Sequence, residues 1–177
     1  VLGAEFSGAP ARVAAAFDGA DAPRARNLVL LRTTPMAPGA GYALENRLVI
    51  SRLFPELFRD LKVQRLADFF AALRDSIALW APAGREAPVT VLLTPGPLNE
   101  TYFEHTYLAR YLGLPLVEGS DLTVREGKVW LRTLSGLQRV HAILRRLDDD
   151  YCDPLELRSD SALGIPGLEA FVRSYVK

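Results

Sequence analysis

The sequence contains very little cysteine and histidine. Its 177 residues include one cysteine, Cys152, and two histidines, His105 and His141. One cysteine cannot form a disulfide within the chain, and so few sulfur and imidazole ligands argue against a zinc site. Proteins without a disulfide framework are typical of reducing compartments, so we expect a cytoplasmic protein.

The chain also lacks an excess of either charge and any long apolar run. Lys and Arg total 21, as do Asp and Glu. No global field therefore attracts nucleic acid or an anionic membrane, and we expect neither as a partner. The apolar stretch LADFFAAL at 66–73 is far shorter than the roughly 18 residues of a membrane span. Any charged binding site must then be a local cluster of charged residues.

The hydrophobic content of 49% is enough for one sizeable core, or for one core with a small appended subdomain. The first residue is Val, and the last residues, GLEAFVRSYVK, run in a helical pattern. We therefore expect the chain to be a piece of a longer protein.

The first half of the chain predicts one strand and a set of helices. Residues 1–26 are rich in Ala, Gly and Pro and show weak periodicity, whereas NLVLLRT at 27–33 is typical of a short buried strand. A Pro/Gly loop follows. Apolar residues at three- and four-residue spacing then predict helices within 50–58 and 66–80.

From residue 85 the pattern predicts alternating strands and helices. The run PVTVLLTPG at 88–96 is typical of a parallel strand that is buried on both faces. Asn99 is the predicted N-cap of the next helix and Gly113 its C-cap. The later predicted elements are a strand in 114–122, a hairpin in 123–131 that turns at Glu126-Gly127, one further strand in 135–146, and a helix after a Gly/Pro loop near the end. The fold class is α/β, with a partly parallel sheet flanked by helices.

Three loops of this predicted sheet follow the carboxyl ends of its strands. They are TPGPLNE at 94–100, VEGSDL at 117–122 and RRLDDD at 145–150. Ligands of open α/β sheets collect at that edge, because the loops expose backbone N–H groups there. The sequence predicts a crevice that these loops share, although TPGP lacks the spacing of a phosphate loop and also fits a simple tight turn.

RRLDDD places two arginines and three aspartates at the end of a buried strand. Dense charge that is partly buried needs compensation, so one interpretation is that Arg145, Arg146, Asp148 and Asp149 recognise a ligand. In the alternative, side-chain alternation sends Arg146 and Asp148 to one face and Arg145 with Leu147 to the other, while the aspartates cap a turn.

Two further segments have a functional and a structural interpretation. In NETYFEH at 99–105, His105 beside Glu104 could serve as a base, or it could be a structural histidine with its hydrogen bonds satisfied. In GAGYALENR at 39–47, glycines allow backbone to approach a ligand, and the carboxylate and amide oxygens of ENR suit magnesium. ENR is equally typical of the polar start of a helix.

Several long strings together resemble one family. They are PGAGYALENR, LLTPGPLNETYFEHTYLARYLGLPLVEGSDLTVREGKVWLRTL and ILRRLDDDYCDPLELRSDSALGIPGL. From about residue 27 to the end, the chain resembles the circularly permuted ATP-grasp proteins of bacteria, which are related to glutathionylspermidine synthetase. The resemblance implies an ATP-dependent carboxylate–amine ligase that uses ATP and Mg²⁺ and forms an amide through an acyl phosphate.

The resemblance also implies roles for individual residues. Glu45 and Asn46 match the acid and amide that hold magnesium, and Arg32 or Arg47 would lie near phosphate or acyl phosphate. Two departures are visible: the acid and the asparagine are adjacent instead of separated by one residue, and Leu31 stands where an aspartate usually precedes the arginine. The segment 88–150 resembles the preATP-grasp domain, which faces substrate. The candidate substrate-binding residues are Asn99, Glu100, Tyr102, Glu104, His105, Arg145, Arg146, Asp148 and Asp149.

Residues 1–84 would then belong to the grasp module and 85–177 to a preATP-grasp-like, Rossmann-like domain, with one compact unit as an alternative. The lysine-bearing strand and glycine-rich lid of a grasp site have no counterpart in the sequence, so we expect them beyond residue 177. The implied partners are a small-molecule or peptide carboxylate, an amine, and the remainder of the chain's own polypeptide. The alternative function is a non-catalytic module that binds a peptide or protein.

Overall fold

The structure, a computed structural model, describes residues 29–32, 39–63, 66–80 and 87–169. The predictions for the Ala- and Gly-rich start, the loop at 33–38 and the terminal helix beyond residue 169 lie outside these ranges. Within them, four helices are seen: α1 (Ala40–Leu53), α2 (Pro55–Asp60), α3 (Ala67–Trp80) and α4 (Tyr102–Leu112). The strands are β1 (Val29–Arg32), β2 (Thr90–Leu93), β3 (Leu116–Val117), β4 (Leu122–Arg125), β5 (Lys128–Thr133), β6 (Gly136–Val140) and β7 (Ala142–Arg145).

Two sheets organise the fold. The first has the strand order β1-β7-β2-β3, and all its pairings are parallel. The second is the antiparallel ribbon β4-β5-β6, which turns at Glu126 and Gly127. Both turn residues have positive φ, 51° and 62°, as a two-residue hairpin requires. The predicted α/β class, the parallel sheet and the hairpin are confirmed.

The parallel sheet is covered on both faces, which explains the continuous apolar runs at 91–93 in β2 and 142–144 in β7. All residues of β2 and β7 are buried. Leu92 and Leu144 pack with α1, α3 and α4, whereas Val91, Leu93 and Ile143 pack against the ribbon and residues 147–168. A parallel strand between two layers cannot alternate apolar and polar residues. Among the described helices, none is long and apolar enough to span a membrane.

The prediction of one strand over 135–146 is wrong. The segment forms β6 and β7, which belong to different sheets and are separated at His141. There the backbone N–H of Val89 donates to His141 Nδ1 at 3.0 Å, and the N–H of His141 donates to the carbonyl of Val89 at 2.8 Å. This reciprocal pair holds the chain where it passes from the ribbon into the parallel sheet.

The predicted N-cap of α4 is also wrong by two residues. The helix begins at Tyr102 with Thr101 as N-cap, and Asn99 Oδ1 accepts hydrogen bonds from the N–H and the hydroxyl of Thr101. An asparagine that bonds the backbone two residues ahead forms a turn before the helix. Gly113 is the C-cap, as predicted, in the left-handed conformation with φ 70°.

Backbone contacts between glycines hold the loops at one end of the parallel sheet together. A Cβ on Gly119 would lie 2.2 Å from the carbonyl oxygen of Leu163, and one on Gly164 would lie 2.3 Å from that of Tyr151. Both distances are far inside contact range, so the segments around 119, 151 and 164 stack closely only because these residues lack side chains.

We therefore expect Gly119→Ala to lower the free energy of unfolding by about 2–4 kcal/mol, since backbone oxygens cannot move aside cheaply. Urea denaturation measures this. The matched control is Ser120→Ala, an exposed neighbour in the same turn, which should change stability by less than about 0.5 kcal/mol. Equal effects of the two substitutions would contradict the close stacking.

Candidate functional site

The carboxyl ends of the parallel strands form one edge, and three loops leave it side by side. In the register of the sheet, Arg145 at the end of β7 lies opposite Arg32 of β1 and Leu93 of β2. The N–H of Arg146 donates to the carbonyl of Leu93 at 2.8 Å, and that of Thr94 donates to the carbonyl of Val117 at 2.9 Å. The loops that begin at residues 94, 118 and 146 therefore share this edge, here called the carboxyl edge.

A buried carboxylate connects the carboxyl edge to helix α1. Glu104, on α4, has no exposed surface. Its Oε1 accepts hydrogen bonds from the N–H groups of Gly39 at 2.9 Å and Gly41 at 3.2 Å, and from the guanidinium of Arg146 at 3.2 Å. The first N–H groups of a helix lack partners within it, so an anion is stabilised there. Within the described residues, Oε2 of Glu104 has no hydrogen-bond partner.

Gly41 is required by this contact. A Cβ at that position would lie 2.8 Å from Cγ of Glu104. The sequence suggested that glycine lets backbone approach a ligand; in the structure the backbone approaches an internal carboxylate. The N-terminus of α1 is thereby occupied by Glu104.

The two arginines of RRLDDD point to opposite sides, as the structural alternative predicts. Arg146 pairs with Glu104, and its side chain is 8% exposed. Burial lowers the pKa of Arg146, and the charge of Glu104 opposes that shift. Arg145 is buried on the other side, where it donates to Cys152 Sγ at 2.8 Å and pairs with Asp149. Both guanidinium groups are engaged within the protein.

Sequence reasoning missed Asp153, which is fully buried. Its Oδ1 accepts from the N–H groups of Leu155 and Gly167, and its Oδ2 accepts from that of Glu169 at 2.8 Å. The carboxylate thus fixes a turn and the start of the helical segment at 168. The signal was available, because an aspartate before proline is typical of a turn that its side chain closes.

His105 holds the turn between β2 and α4. It is 3% exposed, with Nδ1 2.9 Å from the hydroxyl of Thr94 and Nε2 3.1 Å from that of Thr101. Since the Thr101 hydroxyl donates to Asn99, its oxygen accepts from Nε2–H, and Nδ1 accepts from Thr94. Both nitrogens of a neutral ring are satisfied, which favours the structural interpretation of His105.

The remaining substrate-side candidates divide by exposure. Glu100 and Asp148 are exposed, and the side chain of Asp149 is half exposed beside Arg145. Asn99 and Tyr102 are half-buried. Exposed carboxylates thus follow β2 and β7, which are neighbouring strands, and a ligand at the carboxyl edge can reach them.

The predicted magnesium pair lies on α1, beyond its first turn. Glu45 is half-buried and hydrogen-bonds Tyr107 of α4; the pKa of Tyr107 is raised by burial first and by that bond second. Asn46 lines a shallow cavity of about 270 Å³ with Arg47 and Phe58. Adjacent helical residues do not face each other, and Glu45 and Asn46 accordingly have different neighbours.

Within the described part of the chain, no three His, Cys, Asp or Glu residues are grouped to hold a metal. The assignment of Glu45 and Asn46 to magnesium stays a prediction. Arg47 lies beside the same cavity, and for Arg32 the structure describes the backbone at the end of β1 but not the side chain. Their assignment as catalytic residues stays a prediction.

Comparison with known families decides what the chain belongs to. The model of the circularly permuted ATP-grasp family, type 2, matches residues 2–176. The chain belongs to this family. The resemblance that the sequence motifs indicated is thereby confirmed for nearly the whole chain.

Three relatives of this ATP-grasp chain are longer, uncharacterized proteins. An uncharacterized protein of Synechocystis sp. is 47% identical over 130 residues, which are 73% of this chain and 27% of the relative. Two uncharacterized proteins of Mycobacterium tuberculosis are 46% and 43% identical, over 76% and 73% of this chain and 15% and 24% of their own lengths. The chain therefore spans about a quarter or less of each.

His105 generates a pH-dependent prediction. Burial first, and the charge of Arg146 second, lower its pKa from 6.5 to about 4, although Glu104 opposes the shift. Between these values the unfolded chain binds a proton that the folded chain does not, so stability falls as the pH drops from 6.5 to 4. Above pH 6.5 this contribution is fully present.

We expect His105→Gln to remove this part of the pH dependence, up to about 3 kcal/mol between pH 7 and 4. Urea denaturation of the two proteins at pH 7, 6, 5 and 4.5 measures it. A difference in stability between them that stays constant over this range would contradict the depressed pKa.

Proposed function

We propose that the protein is an ATP-dependent carboxylate–amine ligase to which this chain contributes a substrate-facing surface. Membership of the circularly permuted ATP-grasp family is the observation that carries the proposal. In the reaction class, the γ-phosphoryl group of ATP is transferred to a carboxylate, and an amine then displaces phosphate to leave an amide and a released proton. The substrate class is a small-molecule or peptide carboxylate and an amine.

The carboxyl edge supports the substrate-facing role. It brings together loops from neighbouring parallel strands, where ligands of α/β sheets collect. Glu104 and Arg146 are buried in mutual contact, so their part would be to position the loop after β7 and the start of α1. Arg145, which is bonded to Asp149 and Cys152, would fix the next turn in the same way.

The exposed carboxylates suggest which substrate this surface favours. The exposed carboxylates Glu100 and Asp148 create a local negative potential in a chain without net charge, whereas Arg145 compensates the charge of Asp149. Such a potential attracts a cation and repels an anion. An amine reaches the enzyme as an ammonium ion, whereas the other substrate is a carboxylate. We therefore propose that Glu100 and Asp148 bind the amine substrate and that Asn99 and Tyr102 lie at the border of its binding site.

ATP and Mg²⁺ are the proposed cofactors of the whole protein. Glu45 and Asn46 are the residues of this chain that would hold the metal, and the nucleotide is proposed to bind chiefly to other parts of the polypeptide. The low cysteine content supports a cytoplasmic protein.

The test uses hydroxylamine, which traps an acyl phosphate as a hydroxamate whatever the natural amine is. The natural full-length protein is incubated with Mg²⁺-ATP, hydroxylamine and a panel of amino acids and short peptides. We expect hydroxamate that depends on both ATP and one class of carboxylate. If no carboxylate yields hydroxamate and calorimetry detects no nucleotide binding, the ligase proposal is wrong.

A second comparison tests the amine assignment. Asp148→Asn should raise KM for cationic amines about two- to fivefold, the effect of one exposed charge, with kcat little changed. The rate at which hydroxylamine forms hydroxamate should stay the same in this variant, because hydroxylamine is largely uncharged at neutral pH. The control is Asp75→Asn, which removes an exposed carboxylate far from the carboxyl edge. Asp75 lies on α3 beside Arg74, and Arg74 lines a cavity at the opposite end of β2, next to Val89 and Thr90.

A further inference from the structure

Helix α1 beyond its first turns, together with α2, extends from the core without burying any residue. Gly41 and Leu44 are buried against the rest of the protein, but none of the described residues from Glu45 to Val63 is. A six-residue helix such as α2 has almost no stability of its own, because nucleation of a helix is unfavourable and tertiary packing normally supplies the stability. The segment 45–63 is here called the helical arm.

The helical arm is rich in exposed apolar side chains. Leu53 is 63% exposed and Leu61 66%. The full exposed apolar set of the arm is Leu48, Val49, Ile50, Leu53, Phe54, Leu57 and Leu61. Single exposed apolar residues are normal on a soluble protein, but a cluster of seven within fourteen residues is typical of a surface that another body covers.

The exposed apolar residues of α1 lie mainly on one side of the helix. At 100° per residue, Val49, Ile50 and Leu53 share an arc of about 100°, whereas Leu48 lies on the other side, between Arg47 and Arg52. An apolar face of this width normally packs against a protein core. A helix on a membrane surface needs a strongly charged opposite face, which Leu48 interrupts here.

The length of the relatives indicates what covers the helical arm. In the Synechocystis and mycobacterial relatives, the matched region is 15–27% of a much longer chain. A region joined covalently to this one has an effective concentration of roughly millimolar, far above that of a freely diffusing partner. We propose that another region of the same polypeptide, outside these 177 residues, packs around the helical arm in the natural full-length protein. The proposal is independent of the ligase reaction.

Hydrogen–deuterium exchange on the natural full-length protein tests it. Backbone amides of α2 should exchange at least about a hundredfold more slowly than unstructured amides, because burial must supply the missing stability. Exchange at nearly the unstructured rate would overturn the proposal. Hydrogen–deuterium exchange does not depend on enzymatic activity, so failure of the ligase proposal would leave this result unaffected.

Variants and cross-links identify the occupant. Leu53→Ser with Leu57→Ser should abolish the protection and lower the melting temperature by several degrees, whereas Leu134→Ser, at a fully exposed turn, should change neither. Lys62 at the end of the arm should cross-link, within one molecule, to sequence outside the 177 residues. In a mixture of ¹⁴N- and ¹⁵N-labelled protein, cross-links between copies, or cross-links confined to residues 1–177, would overturn the proposal.

Discussion

The carboxylate of Glu104 has to find its partners inside the protein, and the local structure follows from that requirement. It is fully buried, so water cannot compensate its charge. Two N–H groups at the start of α1 and the guanidinium of Arg146 do so. The contact fixes where α1 begins, requires glycine at position 41, and holds the chain after β7 against α4. Three segments distant in sequence thereby meet at the carboxyl edge.

The dense charge that follows β7 separates into two sets with different roles. Arg145, Arg146 and Asp153 are engaged inside the protein, where they hold turns and the start of a helical segment. Asp148 and Asp150 are exposed, whereas Asp149 is half exposed and pairs with Arg145. The cluster therefore has both a structural and a ligand-accessible part, and the second is what supports the proposed amine site at the carboxyl edge.

The sequence predicted those features that local patterns determine. The continuous apolar run in β2 indicates a strand between two layers, and Glu126-Gly127 indicates a hairpin, because each pattern depends on near neighbours alone. The split between β6 and β7 was missed, since it depends on Val89, which lies 52 residues away from His141. The same holds for Glu104, whose partners at Gly39 and Arg146 are 65 and 42 residues away.

Helix geometry also explains why the two residues of the predicted magnesium pair have different neighbours. Family motifs identify residue types, but they do not state which way two adjacent side chains point. Once 40–53 is a helix, Glu45 faces Tyr107 and Asn46 faces the cavity beside Phe58. The family, by contrast, was recognisable, because long strings carry that signal without any knowledge of contacts.

The central claim is that Glu104 and Arg146 stabilise each other inside the protein, and a double-mutant cycle measures it directly. Urea denaturation gives the free energy of unfolding of the natural protein, Glu104→Gln, Arg146→Met and the double variant. Each single variant should lose about 2–4 kcal/mol, because it leaves a buried charge without its partner. The double variant should lose less than the sum of the two, by about 1–3 kcal/mol. Losses that add within about 0.3 kcal/mol would contradict the account.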